Sequence, residues 1–337
     1  MQRHTIHRLG LIVAITATLA FTISPAWADS ATSPDNPITA VSAATPETVE
    51  KAAAVNTSDS GTEAINSTVN NVKVKVPSEA TAGIEVEKGS TRIRVDLPFA
   101  TKADKSKKRS NGIVSYDNRN GSVTVPVVLK DGSVQMNTVI QNAAAPSSYS
   151  YAITVPTGGS LRLEKDGSVS ILDSNASWKA GIAAPWAKDS KGANLTTYYT
   201  VSATTLTQTV DLSVKNITFP VVADPWLGID LIDHTTWGNL WQYSPTLEVF
   251  PTWWGRYGAG APANGAAWSE TLAKTSRSGH PNPNTSSMQV QFDCHFQVVR
   301  IKAPNKPSWN LDTKLPWTDF ANEVRYGCNY PTGNREF

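Results

Sequence analysis

Cysteine is almost absent: the 337 residues hold two, Cys294 and Cys328, both near the C-terminus. No CxxC spacing occurs, which argues against a zinc knuckle or a dithiol redox centre. Histidine is scarce as well, with His234, His280 and His295 the three that lie beyond the first eight residues. An excess of one charge is also missing, since 30 basic side chains face 28 acidic ones. The small surplus sits in residues 1–28, which carry Arg3 and Arg8 and no acid. The rest is formally neutral, so charge gives no support to a nucleic-acid or acidic-membrane partner. GxSxG, HExxH, Gly-rich phosphate loops and calcium-loop patterns are absent, and with them the loop and helix geometries those chemistries need. No cofactor and no metal site is expected.

What is present starts at the N-terminus. Arg3, His4, His7 and Arg8 precede the apolar run LGLIVAITATLAFTI at 9–23, followed by Ala26-Trp27-Ala28. A basic head, a short apolar stretch and a small-x-small site describe a secretory signal. A spanning helix wants about 20 apolar residues, more than this run supplies. Residues 1–28 are therefore expected to be removed after Ala28. No later stretch is long and apolar enough to span, and no cysteine near Ala28 is available for a lipid. The product is expected to be secreted or associated with the cell envelope, without a transmembrane segment. In that oxidising setting an isolated cysteine pair reads as a disulfide, Cys294 to Cys328.

Three regions follow. Residues 29–68 are rich in Ala, Thr, Ser, Glu and Pro and carry no aromatic, so they are expected to be a disordered linker with at most a short helix near 46–56. From 69 to 225 the pattern alternates with period two, as in VKVKV at 72–76, TRIRVDL at 91–97, SVTVPVVL at 122–129 and SVSIL at 168–172. Asp131-Gly132 and Asp166-Gly167 read as hairpin turns. Short strands at this spacing predict an antiparallel β-sandwich, with a barrel as second choice. The basic stretch 102–112 reads as a solvated loop.

The third region, 226–337, holds eight of the eleven tryptophans. It is expected to be a small mixed α+β domain, Trp-rich and disulfide-closed. Asn264–Lys274 reads as a helix with Trp268 and Leu272 on one face and Glu270 paired with Lys274. Trp317, Phe320 and Val324 repeat at helical spacing before Gly327. The run SMQVQFDCHFQVVRI at 287–301 alternates and reads as a strand, with Val290, Phe292, Cys294, Phe296 and Val298 on one side. Asp293 and His295 then share the opposite face, about 7 Å apart at strand rise.

Candidate chemistry concentrates here. Asp293 and His295 are the candidate catalytic pair if a third group joins them. His234 in DLIDHTTW has Asp230 and Asp233 nearby, and His280 lies in a turn-rich loop. Cys294 as a nucleophile conflicts with both the strand reading and the disulfide. In FPTWWGRYGAG, the residues Trp253, Trp254, Arg256 and Tyr257 could stack against and hydrogen-bond a sugar face or a peptide. The alternative is that both tryptophan rings fill a small core.

Gln291-Phe292, Cys294-His295, KPSWNL at 306–311, Pro316-Trp317 and Cys328-Asn329 resemble the DUF2599 family of secreted actinobacterial proteins. The middle region resembles a β-rich module of such proteins that ends in a phrase like FPVVADP, here 219–225, with GGSLRLEKDGSVSILD at 158–173 in keeping. The resemblance implies the disulfide and a His295 close to it, and implies no activity. At 314–317 the chain reads KLPW where relatives read like EPWRP, so a site needing that arginine is put in doubt. The combined expectation is a binding module for an envelope glycan or an extracellular protein. A secreted hydrolase or effector around Asp293 and His295 is the alternative, and an architectural role the third.

Overall fold

The alternating segments fold into antiparallel strands arranged in two packed sheets. The computed structural model describes residues 36–239 and 242–332, so the expected signal at 1–28 lies outside the described residues. One sheet has seven strands in the order Glu63–Val69, Val72–Pro77, Ile84–Lys88, Thr91–Asp96, Ser148–Thr154, Thr205–Val210 and Thr197–Ser202. The other runs Ser160–Leu163, Val169–Leu172, Trp178–Ile182, Trp226–Gly228, Val134–Ile140, Ser122–Val128, Ile113–Asp117 and Lys107–Ser110, with Ala187–Lys188 and Val221–Ala223 attached beside it. Alternate residues of the two inner faces, among them Val74, Val86, Ile93, Tyr151, Met136, Ile171 and Leu227, form one buried core. The sandwich is thus present. Both expected hairpin turns form, and at Gly132 (φ +80°) an added Cβ would lie 2.5 Å from that of Val72.

The outer face of the larger sheet explains a departure from expectation. Val123, Val125, Val127, Val139, Val222 and Ile113 form an apolar surface that cannot face water without cost. It is covered by two short helices, α1 (Pro37–Ala44) and α2 (Pro46–Glu50). Val41 and Ala44 are buried there, and Ile38 and Val49 pack against the same cluster. Residues 36–62 are therefore packed on the sandwich, and 63–69 is a strand of it, which corrects the reading of a disordered linker over this part. The few apolar residues of a polar segment suffice because a valine surface is waiting for them. The basic stretch also departs in part, since Lys107–Ser110 forms an exposed edge strand whose lysines discourage further pairing.

The C-terminal region contains a three-stranded antiparallel sheet, Ile232–Gly238, Thr246–Pro251 and Trp309–Asp312. Around it lie α3 (Trp253–Tyr257), α4 (Asn264–Lys274), α5 (Ser286–Cys294), α6 (Arg300–Lys302) and α7 (Phe320–Arg325). The expected strand at 287–301 is a correction: α5 continues through a π-turn, His295–Val299, into α6. Met288, Phe292, Phe296 and Val299 recur at steps of four, four and three and are all fully buried, a helical period hidden beneath the alternation. Thr285 caps the start by accepting from Met288 N at 3.2 Å.

Phe292 and Phe296 meet Trp309 edge-on, with centroids 5.7 and 5.8 Å apart. These rings, with Trp254 and Trp268, form the second core. Cys294 and Cys328 are joined in a disulfide with Cα atoms 5.5 Å apart, tying α5 to the end of α7 beside Gly327 (φ +70°). The region is therefore mixed α+β, Trp-rich and disulfide-closed, as expected. Trp317 lies outside α7 and is 63% exposed.

Candidate functional site

The turn into α3 is set by Thr252, whose hydroxyl accepts from Gly255 N at 2.8 Å and donates to Asp230 O at 2.7 Å. That cap fixes four residues expected to face a ligand, and they point in different directions. Trp254 is 1% exposed. Its backbone N–H donates to Asp131 Oδ2 at 2.6 Å, and its ring lies 5.9 Å from Trp178. At Gly228 an added Cβ would fall 2.1 Å from the Trp254 ring, so the indole occupies a slot on the sandwich and is closed to any ligand. Trp253 is half-buried against the α1–α2 cluster, 4.1 Å from the Tyr257 ring, with the Lys51 ammonium 4.8 Å from its centroid.

Arg256 and Tyr257 do reach an open cleft. Its volume is about 380 Å³, and its lining includes Asp166, Ser168, Arg256, Tyr257, Arg300 and Ile301. The turn Asp166–Ser168 contributes one wall and α3 with α6 the other. Arg256 donates through Nη1 and Nη2 to Pro304 O at 3.2 Å and Pro307 O at 3.0 Å, and the Tyr257 hydroxyl donates to Pro304 O at 3.0 Å. Arg300 donates to Ala259 O and lies over the Phe296 ring, 4.3 Å from its centroid. Burial pulls the Arg300 pKa down to about 10 and lowers that of Arg256 as well. Neither guanidinium has a carboxylate at ion-pair distance among the described residues. Asp166 is occupied by Ser168, accepting from its N at 3.0 Å and its Oγ at 2.6 Å. Burial works to raise the Asp166 pKa, but these hydrogen bonds outweigh it and hold the carboxyl below its ordinary value.

Asp293 and His295 are not brought together for catalysis. Two residues apart on a helix, they point to different sides. His295 is fully buried and its Nδ1 lies 2.8 Å from Gln291 O. Burial pushes its pKa down to about 3, so the ring is neutral and sealed. Asp293 is half-buried and accepts from Asn264 Nδ2 at 2.7 Å, with burial raising its pKa. The expected accessible face does not exist once the segment is helical. His234 pairs with Asp233 at 2.7 Å and stacks on Phe250 at 4.3 Å. His280 stacks on Trp237 at 5.0 Å.

Asp230 belongs elsewhere. It is buried with Glu270 of α4 between the ammoniums of Lys88 and Lys274. The expected Glu270–Lys274 pair forms at 3.1 Å. Burial, then the neighbouring Glu270, raises the Asp230 pKa to about 7. For Glu270 burial pulls upward, but the hydrogen bond with Asp230 and the two ammoniums outweigh it, so its carboxyl stays below its ordinary value. Because Lys88 comes from the smaller sheet and Glu270 from α4, this quartet joins the sandwich to the C-terminal region. A cavity of about 500 Å³, lined in part by Lys88, Trp178, Leu231 and Glu270, opens beside it.

Among the described residues, no group of three or more His, Cys, Asp or Glu is placed to hold a metal ion. No helix among them is long and apolar enough to cross a membrane. Sequence reasoning missed Lys88 and Arg300. The signal for Arg300 was a lone charge after the apolar VV in QVVRI, which on a helix must leave the core at its edge.

With this geometry in hand, likeness to known proteins concerns the C-terminal region. Residues 232–331 match the family model described as a protein of unknown function, DUF2599, so this region is a DUF2599-like domain. An uncharacterized protein of Mycobacterium tuberculosis is 40% identical over 102 residues, covering 29% of this chain and 65% of the relative. An uncharacterized protein of Mycobacterium bovis matches to the same extent. One of Mycobacterium leprae is 29% identical over 108 residues, 31% of this chain and 83% of the relative. The chain thus spans about 65% of the length of the first two relatives.

Proposed function

We propose that the chain is an exported binding module whose ligand, an envelope glycan or an extracellular protein, enters the cleft bordered by Arg256, Tyr257 and Arg300. The observation that carries this reading is the cleft itself. It is a concavity of ligand size, and its guanidiniums spend their hydrogen bonds on backbone carbonyls and lack carboxylate partners. Tyr257, 41% exposed, adds an aromatic face at its mouth. Export is supported by the basic head, short apolar run and Ala-x-Ala pattern at 1–28, and by the disulfide. The domain division is part of the same proposal, with one correction: the sandwich scaffold runs through the strand Trp226–Gly228, which pairs within its larger sheet, so the recognition region starts after it and not at 226. A hydrolase at Asp293 and His295 lacks support, because the imidazole is sealed.

The test is co-sedimentation of the mature protein with insoluble mycobacterial cell wall, before and after protease stripping of the wall. Retention that is lost in Tyr257→Ala, with an unchanged thermal midpoint, supports the reading. Retention unaffected by Tyr257→Ala, or no retention on either preparation, contradicts it.

A further inference from the structure

The chemistry of the cleft narrows what it accepts. Two guanidiniums, Arg256 and Arg300, line it against one carboxylate, Asp166, which leaves an excess of one positive charge in a partly desolvated space. Asp166 is already engaged by Ser168. Arg300 is the less satisfied of the two arginines. Its Nη1 reaches the Ala259 carbonyl, while its buried Nε has no hydrogen-bond partner. Leaving a charged donor buried and unpaired costs free energy that an acceptor would return. Burial also lowers the pKa of both guanidiniums, and a bound anion would reverse that effect. The Phe296 ring packs against Arg300, 4.3 Å from its guanidinium carbon, and a planar guanidinium offers several donors to an oxyanion. Ile301, 71% exposed beside it, supplies an apolar rim for the uncharged remainder of a ligand.

We propose that the cleft recognises an oxyanion, a carboxylate or a phosphate monoester or diester carried by the ligand, with Arg300 as the principal donor and Arg256 setting the local positive potential. This rests on the cleft being the ligand site and adds the chemical class of what it holds. Charge-assisted hydrogen bonds from a planar guanidinium suit either oxyanion.

The experiment uses the mature full chain labelled with ¹⁵N-arginine. The arginine Nε–H signals are followed while inorganic phosphate, acetate or chitotetraose is added at constant ionic strength set by chloride. Saturable movement of the Arg300 signal with phosphate or acetate is the expected result. A response to phosphate alone indicates a phosphoester ligand, and a response to acetate indicates a carboxylate. Ile301→Asp, a surface change that places a negative charge on the rim, is expected to weaken that response about tenfold or more, the scale of one charge-assisted hydrogen bond. Ile301→Lys is expected to keep it.

No movement of the Arg300 signal with phosphate or acetate overturns the oxyanion proposal, as does movement that Ile301→Asp leaves intact. Saturable binding of uncharged chitotetraose, unchanged in Ile301→Asp, also overturns it while leaving the cleft as the ligand site. Failure of the binding reading itself is recorded separately, by absent retention on cell wall.

Discussion

Lowering the pH from 7.5 to 4.5 should remove most of the contribution that one residue, His295, makes to the stability of this protein. Its ring is buried, next to the disulfide, and its folded pKa is pushed down to about 3 from 6.5 by desolvation. A depressed folded pKa means that its contribution is complete above pH 6.5 and is lost as pH falls toward 3, because the unfolded chain takes up a proton that the folded one refuses. Two pH units below 6.5, at about 1.4 kcal/mol each, amount to about 2.5–3 kcal/mol. Other groups work in the opposite sense. Burial raises the carboxyls of Asp224 and Glu323 to about 7, so their contributions are fully present at low pH and are lost as pH rises through 7. The His295 contribution must therefore be isolated by comparison with His295→Gln, whose amide can still donate to Gln291 O. Urea unfolding followed by tryptophan fluorescence at pH 7.5, 6.0 and 4.5 gives both stabilities. The gap between wild type and variant should narrow by about 2.5–3 kcal/mol between the end points. Parallel pH curves would refute the reasoning and place His295 within reach of water.

Three other perturbations follow from the packing. Cys294→Ser should lower stability by about 4 kcal/mol, the loop-closure contribution of a 34-residue separation, measured by urea denaturation with and without reductant, which should no longer matter in the variant. Gly228→Ala should cost about 1–3 kcal/mol, because its methyl would meet the Trp254 ring; a stability within error of wild type would show that the indole slot is loose. Val41→Asp should lift α1 from the valine surface. Binding of a hydrophobic dye should rise at neutral pH while the disulfide-closed region keeps its near-ultraviolet signal, and no rise would mean that α1 is dispensable as a cover.

The sandwich was legible because alternation and turn chemistry agree. VKVKV and SVTVPVV announce strands, the first half-buried and the second buried on both faces once α1 and α2 cover it, and Asp131-Gly132 needs the positive φ that glycine supplies. Helix α4 was equally plain, its Trp268 and its Glu270–Lys274 pair at matching intervals. The 287–301 segment misled because Val290, Phe292, Cys294, Phe296 and Val298 satisfy period two while Met288, Phe292 and Phe296 satisfy a step of four. Its length of 15 residues, beyond an ordinary strand, was the evidence on the other side. The N-terminal cover was hidden because its few apolar residues matter only opposite a surface formed far away in sequence. For the site, Arg256 and Tyr257 were within reach of composition and loop reading. Trp254 was not, since its burial depends on Gly228 and Gly181, which clear space for its ring. Arg300 became visible once the segment was helical and its side chain lined the same cleft as Asp166 and Ser168.

The central claim is that a ligand occupies the cleft between the Asp166–Ser168 turn and the Arg300 helix. Hydrogen–deuterium exchange of the protein without residues 1–28, with and without solubilised mycobacterial envelope extract, tests it without knowing the ligand. The account predicts added protection in peptides spanning 256–260 and 300–304, and its loss in Ile301→Asp. Protection confined to the Trp237–His280 surface, or no change anywhere, would contradict it.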